Sequence, residues 1–203
     1  MIQSIVFDMG NVLIRYNPET FINNYTLDSA EQKELLDAIF YAGEWQEYDK
    51  GTLTNNELID RVLLKLPDNL HETARTILSD WYTGMTPISE MESIISQLNQ
   101  NGYNLYLLSN VSQDFHQFKH IIPGLNYFEG IFLSSDWKLI KPDPEIYKLF
   151  FAEFNLNPED CFFVDDLPQN IRSAEKLGMK GHVFDGDIDK LKEHLKKEHI
   201  NIS

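Results

Sequence analysis

A short apolar run near the start of the chain ends directly in an aspartate. Residues 5–7, Ile-Val-Phe, lead into Asp8, and Gly10 and Asn11 follow at once. The run is typical of a buried strand, and the glycine lets the chain turn tightly where that strand ends. In an open parallel sheet, ligands bind at the carboxyl ends of the strands. The pattern places Asp8 where a nucleophile or a metal ligand would lie, although an aspartate that only caps the next turn has the same local sequence.

The second half of the chain alternates between apolar runs and helix-periodic segments. Buried strands are predicted at 105–108, 131–133, 161–164 and 182–184. Helices are predicted between them, the first starting at Pro87, and the chain is expected to end in a surface helix that frays. Strands that alternate with helices require right-handed crossovers and a parallel sheet. We therefore expect an α/β fold with a doubly wound parallel sheet and a Rossmann-like core.

Residues 17–84 have a different pattern, with helical periodicity and no convincing strand. Thr54 and Glu57 have the spacing of a capping box, which marks the start of a helix. We interpret this segment as a small all-helical insertion after the first strand, packed on its own apolar core. The α/β core would then consist of residues 1–16 and 85–203.

Charge and composition restrict the kind of partner. A net charge of −15 argues against nucleic acid or an anionic membrane as the main partner, and it disfavours an anionic substrate unless a cation or a local lysine offsets it. No apolar run approaches the ~18–20 residues of a membrane span. The one cysteine, Cys161, lies in an apolar run and fits a core position. We expect a cytoplasmic protein that is monomeric, with a dimer left open.

Carboxylates follow two of the predicted strands. Asp8 follows the first strand, and the adjacent Asp165 and Asp166 follow the strand at 161–164. Parallel strands would bring these carboxylates to one edge of the sheet, as a hard oxygen site that suits Mg²⁺. Adjacent carboxylates repel each other unless a cation lies between them, which supports this interpretation. We therefore expect Mg²⁺ as the cofactor.

Three further residues complete the predicted site. Ser109 and Asn110 follow the strand at 105–108, and Lys141 lies in a loop before a predicted helix. The Ser109 hydroxyl and the backbone N–H of Asn110 can donate to phosphate oxygens, and Lys141 supplies a point charge for phosphate. One aspartate remains free to attack phosphorus and form an aspartyl-phosphate that water hydrolyses. Each signal alone is also explained by a turn or a solvated lysine, but together they form an ordered set.

This ordered set resembles the motifs of the haloacid dehalogenase-like hydrolase superfamily, which consists mostly of phosphatases. The matching residues are 7–12, 108–110, 141–147 and 163–166 with Asn170. Residues 17–84 also fall where the family inserts its helical cap, so the resemblance implies a cap at 17–84 on an α/β catalytic core of residues 1–16 and 85–203. The resemblance implies that Asp8 is the nucleophile and a Mg²⁺ ligand, that the Gly10 carbonyl is a second ligand and that Asp166 is the third. Asp165 would lie beside the ion or exchange roles with Asp166.

One position departs from the family pattern. The family's phosphatases usually carry a second aspartate two residues after the nucleophile, where it protonates the leaving oxygen, and here that position is Gly10. General acid catalysis typically contributes ~10²–10⁴-fold, so its loss would be serious. Water or a cap carboxyl, Glu47 or Asp49, could donate the proton instead. A side chain introduced at position 10 would risk a clash or a distorted turn.

A finer resemblance concerns the substrate. Residues 48–54 are similar to the Glu-x-Gly-x-Ile-Ser stretch of the bacterial alpha-D-glucose-1-phosphate phosphatase branch, which also has glycine at the second position after the nucleophile. This implies a sugar 1-phosphate, whose hemiacetal oxygen is a better leaving group than an ordinary alkoxide. Glu44, Trp45 and Tyr48 are then candidate substrate contacts, with the aromatic rings stacking on a sugar face, although packing within the cap explains them equally well.

Three functions remain open at this stage. The first is a Mg²⁺-dependent phosphatase acting on a small phosphorylated metabolite, and the second is a silent protein that binds a phosphorylated ligand or a protein partner. The third is a metal-independent 2-haloacid dehalogenase, which the adjacent Asp165 and Asp166 argue against. His116 and His120 have the spacing of a helical metal pair, but a surface pair is favoured because no further ligand of that type is in view.

Overall fold

The computed structural model of this chain describes residues 1–202. Its strands are β1 (Ser4–Phe7), β2 (Ile14–Arg15), β3 (Thr86–Pro87), β4 (Asn104–Ser109), β5 (Phe128–Leu133), β6 (Cys161–Asp165) and β7 (Lys180–Val183). Five of them form a parallel sheet in the order β5-β4-β1-β6-β7, and β2 pairs with β3 in antiparallel orientation. The predicted α/β fold with a doubly wound parallel sheet is therefore confirmed.

Eleven α-helices lie among residues 1–202. They are α1 (Pro18–Ile22), α2 (Ser29–Ile39), α3 (Gly43–Asp49), α4 (Asn55–Leu63), α5 (His71–Asp80), α6 (Glu90–Gln100), α7 (Phe115–Phe118), α8 (Ser134–Trp137), α9 (Pro144–Glu153), α10 (Pro168–Glu175) and α11 (Ile188–Lys197). In this described part of the chain, no helix combines the length and the apolar character that crossing a membrane requires.

The position of β1 in the sheet determines where a site can form. β1 lies at the centre, and the chain adds β4 and β5 on one side of it and β6 and β7 on the other. Strand order therefore reverses beside β1, and the crevice beyond its carboxyl end is the place where open α/β sheets bind ligands.

Alternate strand residues pack on opposite faces of the sheet. Ile5 and Phe7 belong to the larger apolar cluster, which also takes in α6, α11 and the cap helices. Val6 and Cys161 belong to the smaller cluster, which packs against α9 and α10. This two-residue period is what a strand covered by helices on both faces requires. Cys161 is a buried core residue, as its apolar surroundings in the sequence indicate.

Helices α1 to α5 form the segment predicted as a cap. The capping box at Thr54 and Glu57 is present at the start of α4. The sequence predicted that the apolar side chains of these helices form a core of their own, and this prediction is wrong. Leu35, Leu58 and Ile77 are fully buried in the same cluster as Ile5 of the central sheet.

Two segments differ from the sequence prediction. Pro87 does not start a helix, because it pairs with Ile14 in the short ribbon that joins the cap-like segment to the sheet, and α6 begins only at Glu90. Proline is tolerated there, since the ribbon is all edge and needs no N–H from it. The last helix, predicted to lie on the surface, instead packs into the larger apolar cluster, because Leu191 and Leu195 are fully buried.

Candidate active site

The ends of β1, β4 and β6 surround a cavity of about 480 Å³. The lining residues at these strand ends are Asp8, Gly10, Ser109, Asn110 and Asp166, with Lys141 from the loop before α9. Parallel pairing in register brings these residues together, although up to 158 sequence positions separate Asp8 from Asp166. The edge predicted from the sequence is thus a single concave site.

Lys141 is the electrostatic centre of this site. Its side chain is 1% exposed, and its ammonium lies 2.8 Å from Asp8 Oδ1 and 2.7 Å from Asp165 Oδ2. It also donates to the Leu108 carbonyl at 2.8 Å. Burial opposes the charged form, but the carboxylates of Asp8 and Asp165 outweigh it and raise the pKa of Lys141. A permanent cation is therefore held against Asp8.

Asn110 holds the loop that carries this lysine. Its side-chain amide donates to the Lys141 carbonyl at 3.0 Å, and its side-chain oxygen accepts from the Lys141 backbone N–H at 2.8 Å. Both polar groups of the Asn110 side chain are occupied in this way. This leaves the Asn110 backbone N–H and the Ser109 hydroxyl, the two donors predicted from the sequence, as the groups of this turn that could contact phosphate.

The adjacent aspartates have different environments. Asp165 is fully buried, and its carboxylate accepts from Lys141, from the Asn170 amide at 2.9 and 3.0 Å, and from the Leu167 N–H at 2.8 Å. Asp166 is half-buried and lines the cavity, where its Oδ2 accepts from the Asn11 amide at 3.2 Å. Asp165 is thus committed to positioning Lys141, whereas Asp166 presents a carboxylate to the cavity.

Burial dominates the acid–base properties of the two cavity carboxylates. It raises the pKa of Asp8 to about 7, while Lys141 acts in the opposite direction. It also raises the pKa of Asp166, against the hydrogen bond from Asn11. Two carboxylates that are both partly desolvated favour a bound cation, because its charge stabilises their ionised forms.

The donor set fits a hard divalent cation. Among residues 1–202, the one group of three His, Cys, Asp or Glu side chains placed to share an ion is Asp8, Asp165 and Asp166, each with an oxygen within 4.8 Å of the others. The hydrogen bonds of Asp165 make Asp8 and Asp166 the better ligands. His116 and His120 are exposed, and because α7 ends at Phe118 they do not share one helix.

The cap residues selected from the sequence have different positions. Trp45 lines the cavity. Glu44 instead forms an ion pair with Lys65, and the Tyr48 hydroxyl donates to Asp114 at 2.6 Å. The structure therefore does not bring Glu44 and Tyr48 to the cavity, because each is engaged by a partner elsewhere.

Two aromatic residues of this cavity, Tyr16 and Trp81, were not among the site residues predicted from the sequence. Tyr16 follows β2, and Trp81 follows α5, where it continues the apolar stripe of Ala74 and Leu78 at helical spacing. Both line the cavity, and the Trp81 indole N–H donates to Asp114 at 2.9 Å. A buried aromatic residue in such a stripe is indistinguishable from an ordinary core residue, so local sequence carried no signal for this role.

The space beside Gly10, where the family's phosphatases usually carry the acid, is empty. A Cβ built at Gly10 meets no atom within 4 Å, and the Gly10 φ angle is outside the left-handed region. The clash anticipated from the sequence is therefore wrong, because the backbone at position 10 borders the open cavity. Of the two cap carboxyls considered as replacements, Asp49 lines the cavity, whereas Glu47 pairs with Arg61 at 3.0 Å.

Comparison with known proteins gives both sequence relatives and structural neighbours. A sesquiterpene phosphatase of Aspergillus oryzae is 27% identical over 186 residues, covering 90% of each chain. A D-ribitol-5-phosphate phosphatase of Bacteroides thetaiotaomicron is 26% identical over 190 residues, covering 89% of this chain and 90% of the other. The fold is shared with a HAD family enzyme of B. thetaiotaomicron in complex with magnesium and inorganic phosphate, with a TM-score of 0.73 and 24% identity, covering 94% of this chain and 99% of that one.

The family model of the haloacid dehalogenase-like hydrolases matches residues 2–178. This match spans β1, the cap-like helices and the ends of β4 and β6, and thus includes every residue that lines the cavity. The resemblance found in the sequence motifs is confirmed, and the chain belongs to the haloacid dehalogenase-like hydrolases.

Proposed function

We propose that this hydrolase is a Mg²⁺-dependent phosphatase that releases phosphate from a small phosphorylated metabolite through an aspartyl-phosphate on Asp8. The observation that carries the proposal is the Lys141 ammonium, buried 2.8 Å from Asp8 in a cavity that Asp166 also lines. A nucleophilic carboxylate, a fixed cation and a second carboxylate in one concave site suit the attack on a phosphate dianion. The sesquiterpene phosphatase and the D-ribitol-5-phosphate phosphatase among the relatives support the same reaction class.

Asp8, Asp166 and the Gly10 carbonyl are the groups that would hold Mg²⁺. The bound ion would supply positive charge for the phosphate oxygens and thereby offset the negative charge of the chain. The position of Asp166 on the cavity, together with the occupied hydrogen bonds of Asp165, supports Asp166 as the direct ligand.

The side chains of the site divide the remaining work. Asp8 attacks phosphorus, and Lys141 holds the Asp8 carboxylate in place and keeps a positive charge beside the reacting phosphate. Asp165 positions Lys141 by accepting its second charged hydrogen bond. Ser109 and the backbone N–H of Asn110 are available to the phosphate oxygens. Water then attacks the aspartyl-phosphate and regenerates Asp8.

The organic part of the substrate would lie against the aromatic wall of the cavity. Tyr16, Trp45 and Trp81 line this wall, with Met85 beside them. Aromatic faces accept the apolar face of a sugar ring or another compact apolar body. A sugar phosphate, including the sugar 1-phosphate suggested by residues 48–54, fits this wall.

A phosphate-release assay tests the proposal. The protein is incubated with p-nitrophenyl phosphate and a set of sugar phosphates, with Mg²⁺ or with EDTA. We expect release that depends on Mg²⁺, that Asp8→Asn abolishes and that Asp37→Asn, which removes an exposed carboxyl of α2, leaves unchanged. Binding of inorganic phosphate without turnover of any substrate would instead identify the silent binder that Gly10 leaves open.

A further inference from the structure

The leaving oxygen of the substrate needs a proton donor that the core does not supply. In phosphoryl transfer the attacking and leaving oxygens lie roughly in line with phosphorus. The leaving oxygen therefore lies on the far side of phosphorus from Asp8, toward the wall that the cap contributes. Gly10, the family's usual position for the acid, has no side chain to reach it.

Helix α3 of the cap carries three carboxyl side chains, and each has different surroundings. Glu44 forms an ion pair with Lys65, and Glu47 forms one with Arg61. Neither glutamate lines the cavity. Asp49 is the carboxyl of this helix that lines the cavity. Position alone therefore distinguishes Asp49 from Glu47, although both were possible donors in the sequence.

The surroundings of Asp49 favour its protonated form. Burial raises the pKa of its carboxyl well above the ordinary value, and the negative charges of Asp114 and Asp8 act in the same direction. The Ser112 backbone amide and the Trp45 side chain act in the opposite direction but do not outweigh burial. A raised pKa favours the protonated carboxyl, which is the form that a general acid requires.

The hydroxyl of Tyr16 is a second polar group of the cavity wall without an assigned role. This hydroxyl is buried and has no hydrogen-bond partner within the described residues, although the side chain lines the cavity. It is close enough to Asp49 for the charge of that carboxyl to raise the pKa of the tyrosine further, beyond the effect of burial. A buried hydroxyl without a partner is costly, and a ligand oxygen between Tyr16 and Asp49 would remove that cost.

We propose that Asp49 is the general acid of this enzyme and that the Tyr16 hydroxyl positions the leaving oxygen beside it. This inference rests on the phosphatase function proposed above. It assigns to the cap the chemical role that Gly10 leaves open in the core. With an acid present, phosphates of ordinary alcohols become substrates as well as anomeric and aryl phosphates.

Asp49 gives up its proton in the first half-reaction and takes a proton back in the second. In the first, Asp8 forms a bond to phosphorus, the bond from phosphorus to the leaving oxygen breaks, and the Asp49 proton passes to that oxygen so that a neutral alcohol departs. In the second, water attacks phosphorus, the bond to Asp8 breaks, and the Asp49 carboxylate accepts the proton from water. Asp8 ends as a carboxylate and Asp49 as a protonated acid, as both began.

The test compares two substrates of similar shape and different leaving-group acidity. Wild type, Asp49→Asn and Glu47→Gln are assayed with benzyl phosphate and p-nitrophenyl phosphate in saturating Mg²⁺. We expect Asp49→Asn to lower kcat/KM for benzyl phosphate by about 10²–10⁴-fold, and to affect p-nitrophenyl phosphate far less because its leaving group needs little protonation. Glu47→Gln is the matched control, and both its rates should stay at the wild-type level.

Two further measurements separate catalysis from folding. The kcat/KM of wild type for benzyl phosphate should fall as pH rises through the pKa of Asp49, and Asp49→Asn should lack that limb. Tyr16→Phe should weaken benzyl phosphate turnover more than p-nitrophenyl phosphate turnover. If Asp49→Asn lowers kcat/KM equally on both substrates, or does not lower it on benzyl phosphate, the inference is overturned. Mg²⁺-dependent phosphate release by wild type would still support the proposed function in that case.

Discussion

The buried lysine of the site gives the sharpest stability prediction. Lys141→Met removes an ammonium that lies 2.8 Å from Asp8 and 2.7 Å from Asp165, and replaces it with an unbranched apolar chain of similar reach. The substitution leaves two negative groups in a region where Asp165 is fully buried and the Asp8 side chain is 11% exposed. We expect a large loss of stability in the metal-free protein.

The magnitude follows from what each carboxylate retains. Removing one partner of a buried ion pair typically costs about 3–5 kcal/mol. Asp165 keeps its hydrogen bonds from Asn170 and the Leu167 N–H, and Asp8 borders the cavity, so a value of about 3 kcal/mol is expected. For a chain of this size, that corresponds to a decrease of roughly 6–12 °C in Tm.

An exposed ion pair provides the matched control. Lys148 lies 2.6 Å from Glu145 on α9, and the two side chains are 55% and 59% exposed. Lys148→Met should cost about 0–1 kcal/mol, because surface pairs are screened by water. Thermal unfolding of both variants in EDTA measures the difference directly. Similar decreases in Tm for the two would refute the assignment of Lys141 as the cation that holds the site together.

Four further predictions concern the reaction and its pH dependence. Asp8→Asn should abolish turnover while leaving the protein folded, since an amide is too poor a nucleophile; substantial turnover in saturating Mg²⁺ would contradict this. Asp166→Ala should raise the Mg²⁺ concentration for half-maximal activity more than Asp165→Asn, which should mainly lower Tm; metal titrations of both variants decide between them. Gly10→Asp should fold with a Tm close to wild type, because no atom lies within 4 Å of the added Cβ; a large decrease in Tm would show that the open space is not usable. Combined with Asp49→Asn in a double variant, Gly10→Asp should restore part of the benzyl phosphate turnover that Asp49→Asn loses. Since the raised pKa of Asp49 means that folding is favoured by its protonated form, stability is lost as pH rises through that pKa. Asp49→Asn should therefore be more stable than wild type at about pH 8 and equal to it at about pH 3, as unfolding curves at the two pH values would show.

The sequence alone determined the architecture and the edge of the sheet that carries the site. Apolar runs that end in Asp8, Ser109 and Asp165 are local patterns, and parallel pairing in register is enough to bring their ends together. The helical periodicity of residues 17–84 is equally local. These features depend on side-chain alternation and short-range turn chemistry, both of which can be followed along the chain.

Only the tertiary structure decided the roles within the site. Asp165 and Asp166 are adjacent in sequence, yet one is enclosed by Lys141 and Asn170 and the other faces the cavity. Glu47 and Asp49 lie on the same short helix, yet one pairs with Arg61 and the other lines the cavity.

The physical reason is the range of the interactions. Tyr48 and Trp81 meet Asp114 across 66 and 33 residues, and these hydrogen bonds join the cap-like helices to the core beside the cavity. No local pattern records such partners, because hydrogen bonding and desolvation depend on which groups the completed fold encloses. Chain periodicity therefore sets which carboxylates reach the edge of the sheet, and the completed fold sets which of them is enclosed by partners and which faces the cavity.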